Sequence, residues 1–357
     1  MTNSNLYIDV HVLQTVPSSN INRDDTGSPK TAVYGGVTRS RVSSQSWKHA
    51  MRAGFKNDDY SVGVRTKKVL NMLADALVEK MPDLSAEDSV EQATEILKTA
   101  GIKINKDGET GALLLISRGQ IEKIAEYALN NEELDKKELK AVINGNQSLD
   151  LALFGRMVAD NPELNVEGSA QVAHAISTHE IQPEFDYFTA LDDLSPKNNA
   201  GASMLGSIEF NSATLYRYAN LNVKELIHNI GSETAIEGVQ AFIKEFVLTM
   251  PTGKQNTFAN KTLPQYIMVT LRQDTPVNLV SAFESPVRAD GGYVEASISE
   301  LEKEYDKAGS IVEDPLFNVI LSQKGTGSEA PADNLSDLLN KVSAAVKEVI
   351  SHEDFNA

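Results

Sequence analysis

Leu6, Ile8, Val10 and Val12 alternate with Tyr7, Asp9 and His11, and a period of two predicts a strand with one buried face. The polar stretch that follows, with Pro17, Gly27, Pro29 and the Gly35-Gly36 pair, reads as a long loop. The period then changes. Ser43 and Ser44 offer an N-cap for a helix over 45–53, with Gly54 as its stop and Trp47, Ala50 and Met51 on one face. Lys48 and Arg52, four apart, share another face, so this helix is apolar on one side and basic on the other.

From 62 to 145 the pattern is helical. Val69, Leu70, Leu73, Leu77 and Val78 give 67–81 an amphipathic face. Ser85 and Asp88 open a second helix that Gly101 closes. Two more are predicted over 120–130 and 135–143, and together they form an inserted helical lobe. Extended structure is predicted at 149–158 and 185–194. A Pro/Asn/Gly/Ser-rich tip at 195–206 precedes the alternating run 207–221, which makes a long hairpin the simplest account. A helix over 232–250, a strand over 265–271 and a closing helix over 335–350 complete the chain. Between the last two lies an acidic stretch, 295–314, with seven acids against Lys303 and Lys307.

Without the lobe the order is strand, helix, strand, strand, helix, strand. The expected class is α+β, a modified ferredoxin-like palm of the kind used by RNA-recognition modules. The sheet-borne aromatic motif of those modules is not visible here. The expected boundaries are a first palm segment over 1–61, the helical insertion over 62–147 and a return to the palm over 148–194. A hairpin tip over 195–206 and a second palm segment over 207–357 follow.

Composition narrows the chemistry. The 357 residues are 41% hydrophobic and 23% charged, ordinary for a globular protein. With no cysteine, disulfides, thiol catalysis and thiolate metal sites are excluded, and a reducing cytoplasm is expected. The N-terminus lacks a signal-peptide pattern, and no apolar run reaches the roughly 20 residues that span a bilayer. No phosphate-loop or dinucleotide fingerprint occurs; Thr252-Gly253-Lys254 and Gly325-Thr326-Gly327 read as turns. The six histidines lack zinc spacing, and His174 and His179 read as structural. Asp24 and Asp25 suit either turn capping or metal-assisted phosphodiester hydrolysis. No cofactor is expected.

Charge adds the main functional clue. The chain carries −17, yet residues 20–56 hold Arg23, Lys30, Arg39, Arg41, Lys48, Arg52 and Lys56 against only Asp24 and Asp25. A basic island of +5 on an acidic protein invites a polyanion locally while the remainder repels one. Arg39 and Arg41 are two apart and point the same way on an extended backbone. Ser43, Ser44 and Gln45 would add neutral donors for successive phosphates. A solvated basic face accounts for the same composition.

Particular runs carry a resemblance. Asn22-Arg23-Asp24-Asp25, Tyr34-Gly35-Gly36 and Arg41-x-Ser43-Ser44-Gln45-Ser46-x-Lys48-x-x-Met51-Arg52 resemble the CRISPR Cascade backbone subunit, the CasC family of type I-E systems. The resemblance resumes at Asp135-Lys136-Lys137-x-Leu139-Lys140, Gly155-Arg156-Met157 and Ala173-His174-Ala175-Ile176-x-Thr178-His179. It continues through Phe188-Thr189-Ala190-x-Asp192-Asp193-Leu194 and Tyr216-Arg217-Tyr218-Ala219-Asn220. The helical lobe and the acidic tail match poorly.

The resemblance implies a hand-shaped, non-catalytic subunit whose copies stack along a CRISPR guide RNA and hold it for pairing with target DNA. Its implied partners are those copies and the large, small, handle-capping and guide-processing subunits, with no membrane. By position, Arg23, Lys30, Arg39, Arg41, Lys48 and Arg52 would grip guide phosphates, while Lys136, Lys137 and Lys140 would contact the target strand. Met157 falls at an apolar wedge that unstacks bases, and Met204 and Leu205 fall at the thumb tip. Relatives carry basic residues where this chain has Val37 and Thr38, and a later basic cluster is reduced here to Arg288. A related class of backbone subunit cuts RNA with a palm-loop aspartate, so Asp24 or Asp25 supports ribonuclease activity as the alternative.

Overall fold

A computed structural model describes residues 5–158, 161–190, 204–288, 291–323 and 331–352. The chain forms two compact units. One comprises residues 1–51, 172–220 and 242–349, the other 52–171, 221–241 and 350–357. The helical unit thus takes in residues 148–171, which the sequence pattern assigned to the palm.

The alternating N-terminal run forms β1 (Tyr7–Ser19). The expected loop then contains a hairpin, β2 (Thr31–Tyr34) and β3 (Val37–Val42). Gly35 and Gly36 form its two-residue turn with φ of 60° and 77°. Positive φ at both central residues matches the right-handed strand twist. α1 (Ser44–Asn57) follows and runs through Gly54, because a lone glycine weakens a helix without stopping it. It ends instead on Asp59, at φ 61°, where the Tyr60 amide donates to the Phe55 carbonyl at 2.9 Å.

The helical unit contains β4 (Val64–Thr66), α2 (Val69–Lys80), α3 (Ala86–Thr99), β5 (Leu114–Ile116), α4 (Arg118–Asn130) and α5 (Lys136–Asn144). Ser85 caps α3, accepting from the Asp88 amide as its spacing predicts. The four helices bury Leu73, Leu77, Leu97, Ile124 and Leu139 in one cluster. The stretch expected to be extended from 149 is instead α6 (Leu149–Phe154), ended by Gly155 at φ 73°. Leu149, Leu151, Ala152 and Leu153 are all buried, and a short run buried all round carries no period to tell helix from strand. Asp150, within that run, accepts from Arg52 Nε at 2.6 Å, the Gly63 amide at 2.7 Å and Ser148 Oγ at 2.7 Å.

The chain continues through β6 (Ala170–Val172), β7 (Ala175–Ser177), β8 (Glu184–Ala190) and β9 (Met204–Asn222). Then come α7 (Val223–Ile230), α8 (Ser232–Leu248), α9 (Gln255–Phe258) and β10 (Tyr266–Arg272). The acidic stretch supplies α10 (Val294–Ala308), and β11 (Phe317–Ser322) and α11 (Leu335–His352) close the chain. The main sheet is ordered β11-β10-β1-β9-β7-β3-β2, and β8 pairs antiparallel with β9. Its β10-β1-β9-β7 segment is the strand order of a ferredoxin-like palm, with β1 antiparallel to β10 from Tyr7↔Arg272 to Leu13↔Tyr266.

Two buried polar groups join these strands. Asp9 accepts from Tyr218 Oη at 2.6 Å, Asn220 Nδ2 at 3.2 Å and the Val277 amide at 3.0 Å. His11 Nδ1 lies 2.9 Å from Tyr216 Oη. Burial raises the Asp9 carboxyl to about 6, and burial, then the Arg272 charge, lowers His11 to about 3. The pH effects oppose each other. Below pH 6.5 the unfolded chain protonates His11 before the native state does, which destabilises the fold. Between about 6 and 3.8 the native state protonates Asp9 first, which stabilises it. His11→Phe is therefore expected to gain on the natural protein by ~2 kcal/mol between pH 7.5 and pH 5. Thermal melts of both at the two pH values measure this; a constant difference between them refutes it.

A third buried group fixes α1. The Arg217 guanidinium lies 3.8 Å from the Trp47 ring centre and 4.6 Å from that of Phe246. It donates to Gln14 Oε1 at 2.5 Å and to the Phe246 carbonyl. Carbonyl and ring faces replace a carboxylate partner, and burial lowers its pKa to about 9.

Candidate nucleic-acid interface

The basic residues of the palm-like unit are sorted by the β2–β3 hairpin. The Lys30 amide donates to the Asn22 carbonyl at 2.8 Å and the Arg41 amide to the Lys30 carbonyl at 2.9 Å, so the two residues border one crevice. Arg41 Nε donates to the Thr31 carbonyl at 3.0 Å, and its Nη1 lies 3.2 Å from His174 Nδ1. Burial, then Arg41 and then Lys30 push the His174 pKa down. The ring is therefore neutral beside two cations and can accept from Arg41. His174, expected to be structural, belongs to this cluster.

Arg23 is exposed. It lines a groove of about 420 Å³ with Ser28, Phe185, Ser207, Glu209 and Lys254. No local pattern singles out Lys254 beyond the turn at Thr252-Gly253-Lys254. It sits in the left-handed region at φ 53°, directly after Gly253, where a Cβ would lie 2.4 Å from the Ile21 carbonyl oxygen. The expected turn is present, and it also delivers a cation. Arg23, Lys30, Arg41 and Lys254 form no ion pair with any described carboxylate. Asp24 Oδ1 accepts from the Thr26 hydroxyl at 2.7 Å, the Thr26 amide at 2.9 Å and the Ser28 amide at 3.0 Å. These bonds hold the carboxyl below its usual pKa, the hydroxyl most strongly. Asp24 therefore caps a turn.

Several expected contacts need correction. Arg39 is 0% exposed and donates to the carbonyls of Tyr34, Ser177 and Phe283 at 3.1, 3.0 and 2.8 Å. Unlike Arg41, it has no face to offer a phosphate. Ser43 and Ser44 are also buried. Ser43 Oγ accepts from the Ser46 amide at 3.4 Å, and Ser44 Oγ donates to Gln45 Oε1 at 3.2 Å. Their hydroxyls serve the start of α1, while Gln45 is exposed. Lys48 is half-buried, which lowers its pKa. Arg288 is exposed just after Val287, whose amide donates to the Thr178 carbonyl at 2.9 Å.

In the helical unit Arg52 is paired with Asp150 at 2.6 Å and is not a free cation. Lys136 and Lys137 are exposed in the first turn of α5, where Asp135 at the N-cap and Glu138 already supply the negative charge that the helix dipole favours. Lys140 is ion-paired with Glu163. Met157 is 81% exposed. In the hairpin, Leu205 is 61% exposed; the Met204 side chain and residues 195–203 lie outside the described residues. No group of three or more His, Asp or Glu gathers to hold a metal among the described residues, and none of their helices is long and apolar enough to cross a membrane.

A family model described as CT1975-like protein matches residues 8–347. A solved chain titled "CRISPR RNA-guided surveillance complex, pre-nicking" is 31% identical with a TM-score of 0.82, the match covering 95% of this chain and 99% of that one. Another, titled "CRISPR RNA-guided surveillance complex", is 29% identical at the same coverage, with a TM-score of 0.65. No curated protein matches. The family match spans nearly the whole chain, and the structural match extends through both compact units: the chain belongs to the CT1975-like family of Cas proteins.

Proposed function

We propose that this chain is the non-catalytic backbone subunit of a type I-E Cascade complex. In this reading copies polymerise along a CRISPR guide RNA and present it for pairing with target DNA. The observation that carries it is the Lys30–Arg41–His174 cluster, a site without carboxylate partners among the described residues, on a chain of charge −17. Such a site attracts a phosphate backbone while the acidic surface elsewhere discourages other binding modes. Arg23, Lys254 and Arg288 extend the contact, and Gln45 and Lys48 add to it from α1. Phosphate contacts fix the strand without reading it, so sequence is read by base pairing with the guide. Lys136 and Lys137 would hold the target strand, and Met157 and Leu205 would serve as apolar wedges between bases. The titles of the similar chains, both RNA-guided surveillance complexes, support the reading.

Expression with a CRISPR array and the partner subunits tests it. Purified particles are expected to show a nucleic-acid-rich absorbance ratio and to release RNA of one discrete length. RNA-free particles, or RNA of random length, would overturn the proposal. Incubation with complementary RNA and Mg²⁺ is expected to leave that RNA intact. Regularly spaced cuts lost on Asp25→Ala would instead identify a ribonuclease.

A further inference from the structure

A guanidinium buried in protein without a carboxylate partner is costly unless its N–H groups are satisfied. Arg39 meets that condition with carbonyls from three separate places. Nε donates into the β2–β3 turn at Tyr34 (3.1 Å), Nη1 to Ser177 of β7 (3.0 Å), and Nη2 to Phe283 (2.8 Å) with a longer approach to Glu284 (3.5 Å). The last two residues belong to segment 277–288, which ends in Arg288. The turn and this segment also meet directly. Tyr34 Oη donates to the Val280 carbonyl at 3.3 Å, and a Cβ on Gly35 would fall 1.6 Å from the Glu284 carbonyl oxygen. Elsewhere the segment is fastened by its amides: Val277 to Asp9 Oδ2 at 3.0 Å and Leu279 to Tyr216 Oη at 3.1 Å.

We propose that Arg39 is a positioning residue which locks the 277–288 segment to the β2–β3 hairpin and so fixes the spacing between Arg41 and Arg288 along a bound strand. This rests on the RNA-binding reading above. Arg41 lies two residues from Arg39 on β3 and pairs with Ile176 of β7, next to the Ser177 carbonyl that Arg39 holds. Arg288 follows Val287 at the far end of the locked segment. One buried cation thus orders a half-buried one, Arg41, and an exposed one, Arg288, without touching the ligand. Phosphates along a strand are regularly spaced, so two cations held at a fixed separation bind with less ordering cost than two mobile ones. Lysine at position 39 would keep the charge, but one ammonium cannot reach carbonyls in three directions.

The test uses the full-length chain, a labelled single-stranded RNA and the variants Arg39→Lys, Arg39→Gln, Arg288→Ala and Arg39→Lys/Arg288→Ala. Arg39→Lys is expected to weaken RNA binding roughly tenfold, as much as Arg39→Gln does, about the worth of one charged contact. The double variant is expected to lose little more than either single change, because both remove the Arg288 contact. Hydrogen exchange at the Leu279 and Val287 amides is expected to accelerate in Arg39→Lys. Wild-type affinity in Arg39→Lys would overturn the proposal, whether or not its melting temperature falls. Additive losses in the double variant would overturn it too, since they would mean that Arg39 acts independently of Arg288. Should Arg39→Lys fail to fold, Tyr34→Phe, which removes only the bond to Val280, is expected to shift affinity and exchange the same way by less; no shift in either would count against the lock. If the natural chain binds no RNA, the functional reading fails by itself, and faster exchange in the Arg39 variants would still report the lock.

Discussion

Replacing both Lys30 and Arg41 by glutamate is expected to weaken guide RNA binding by at least 10²-fold near physiological salt. Each change removes a cation that has no carboxylate partner among the described residues and puts a like charge against a phosphate. Because single-stranded nucleic acid releases about 0.7 counterion per neutralised phosphate, the slope of log affinity against log salt should fall by about 1.4 in magnitude. His174 supplies an internal control. Burial, Arg41 and Lys30 all hold its pKa down, so removing the two cations should raise it, as followed by NMR titration of the ring. Full RNA binding with an unchanged salt slope, alongside a raised His174 pKa, would show that the cluster exists but does not carry the ligand.

The second large effect is on stability. Asp150→Ala is expected to cost about 3–5 kcal/mol, the range for removing one partner of a buried ion pair. Asp150 has a side chain 0% exposed, against 21% for Arg52. It also satisfies the Gly63 amide and Ser148 Oγ, each at 2.7 Å, so truncation strands a cation and two donors together. Asp150→Asn keeps most of the shape and should cost less. Denaturant unfolding decides the matter, and a loss below about 1 kcal/mol for the alanine variant would mean that water or a rearranged Arg52 replaces the carboxylate. Arg52 also illustrates why counting basic residues overstates a binding surface: its charge belongs to the fold of the helical unit.

Periodic segments were legible in the sequence. β1, the capped helix α3, α8 and β10 lie close to where alternation and helical spacing predict them, because each buries one face against many partners. The hairpin under the expected loop carried a readable sign, the Gly35-Gly36 pair, but its flanking strands have only four and six residues. α6 carried none, since burial on every side erases periodicity. Sites were harder to read than elements. Arg39 and Arg41 look equivalent in sequence, yet the acceptors that bury Arg39 lie 138 and 244 residues away. Lys254 is isolated in the chain and reaches the groove beside Arg23 only through a tight backbone approach at Gly253. Local sequence records neither event.

Trp47 is the one tryptophan in the chain. It is 1% exposed, with the Arg217 cation stacked on its indole. The chain therefore contains a single indole reporter, on the buried face of the helix that also bears Lys48. Loosening of α1 that admits solvent would shift the emission to longer wavelength with no label attached. Ligand engagement at the surface and loss of the interior can thus be followed in one cuvette, without background from a second indole.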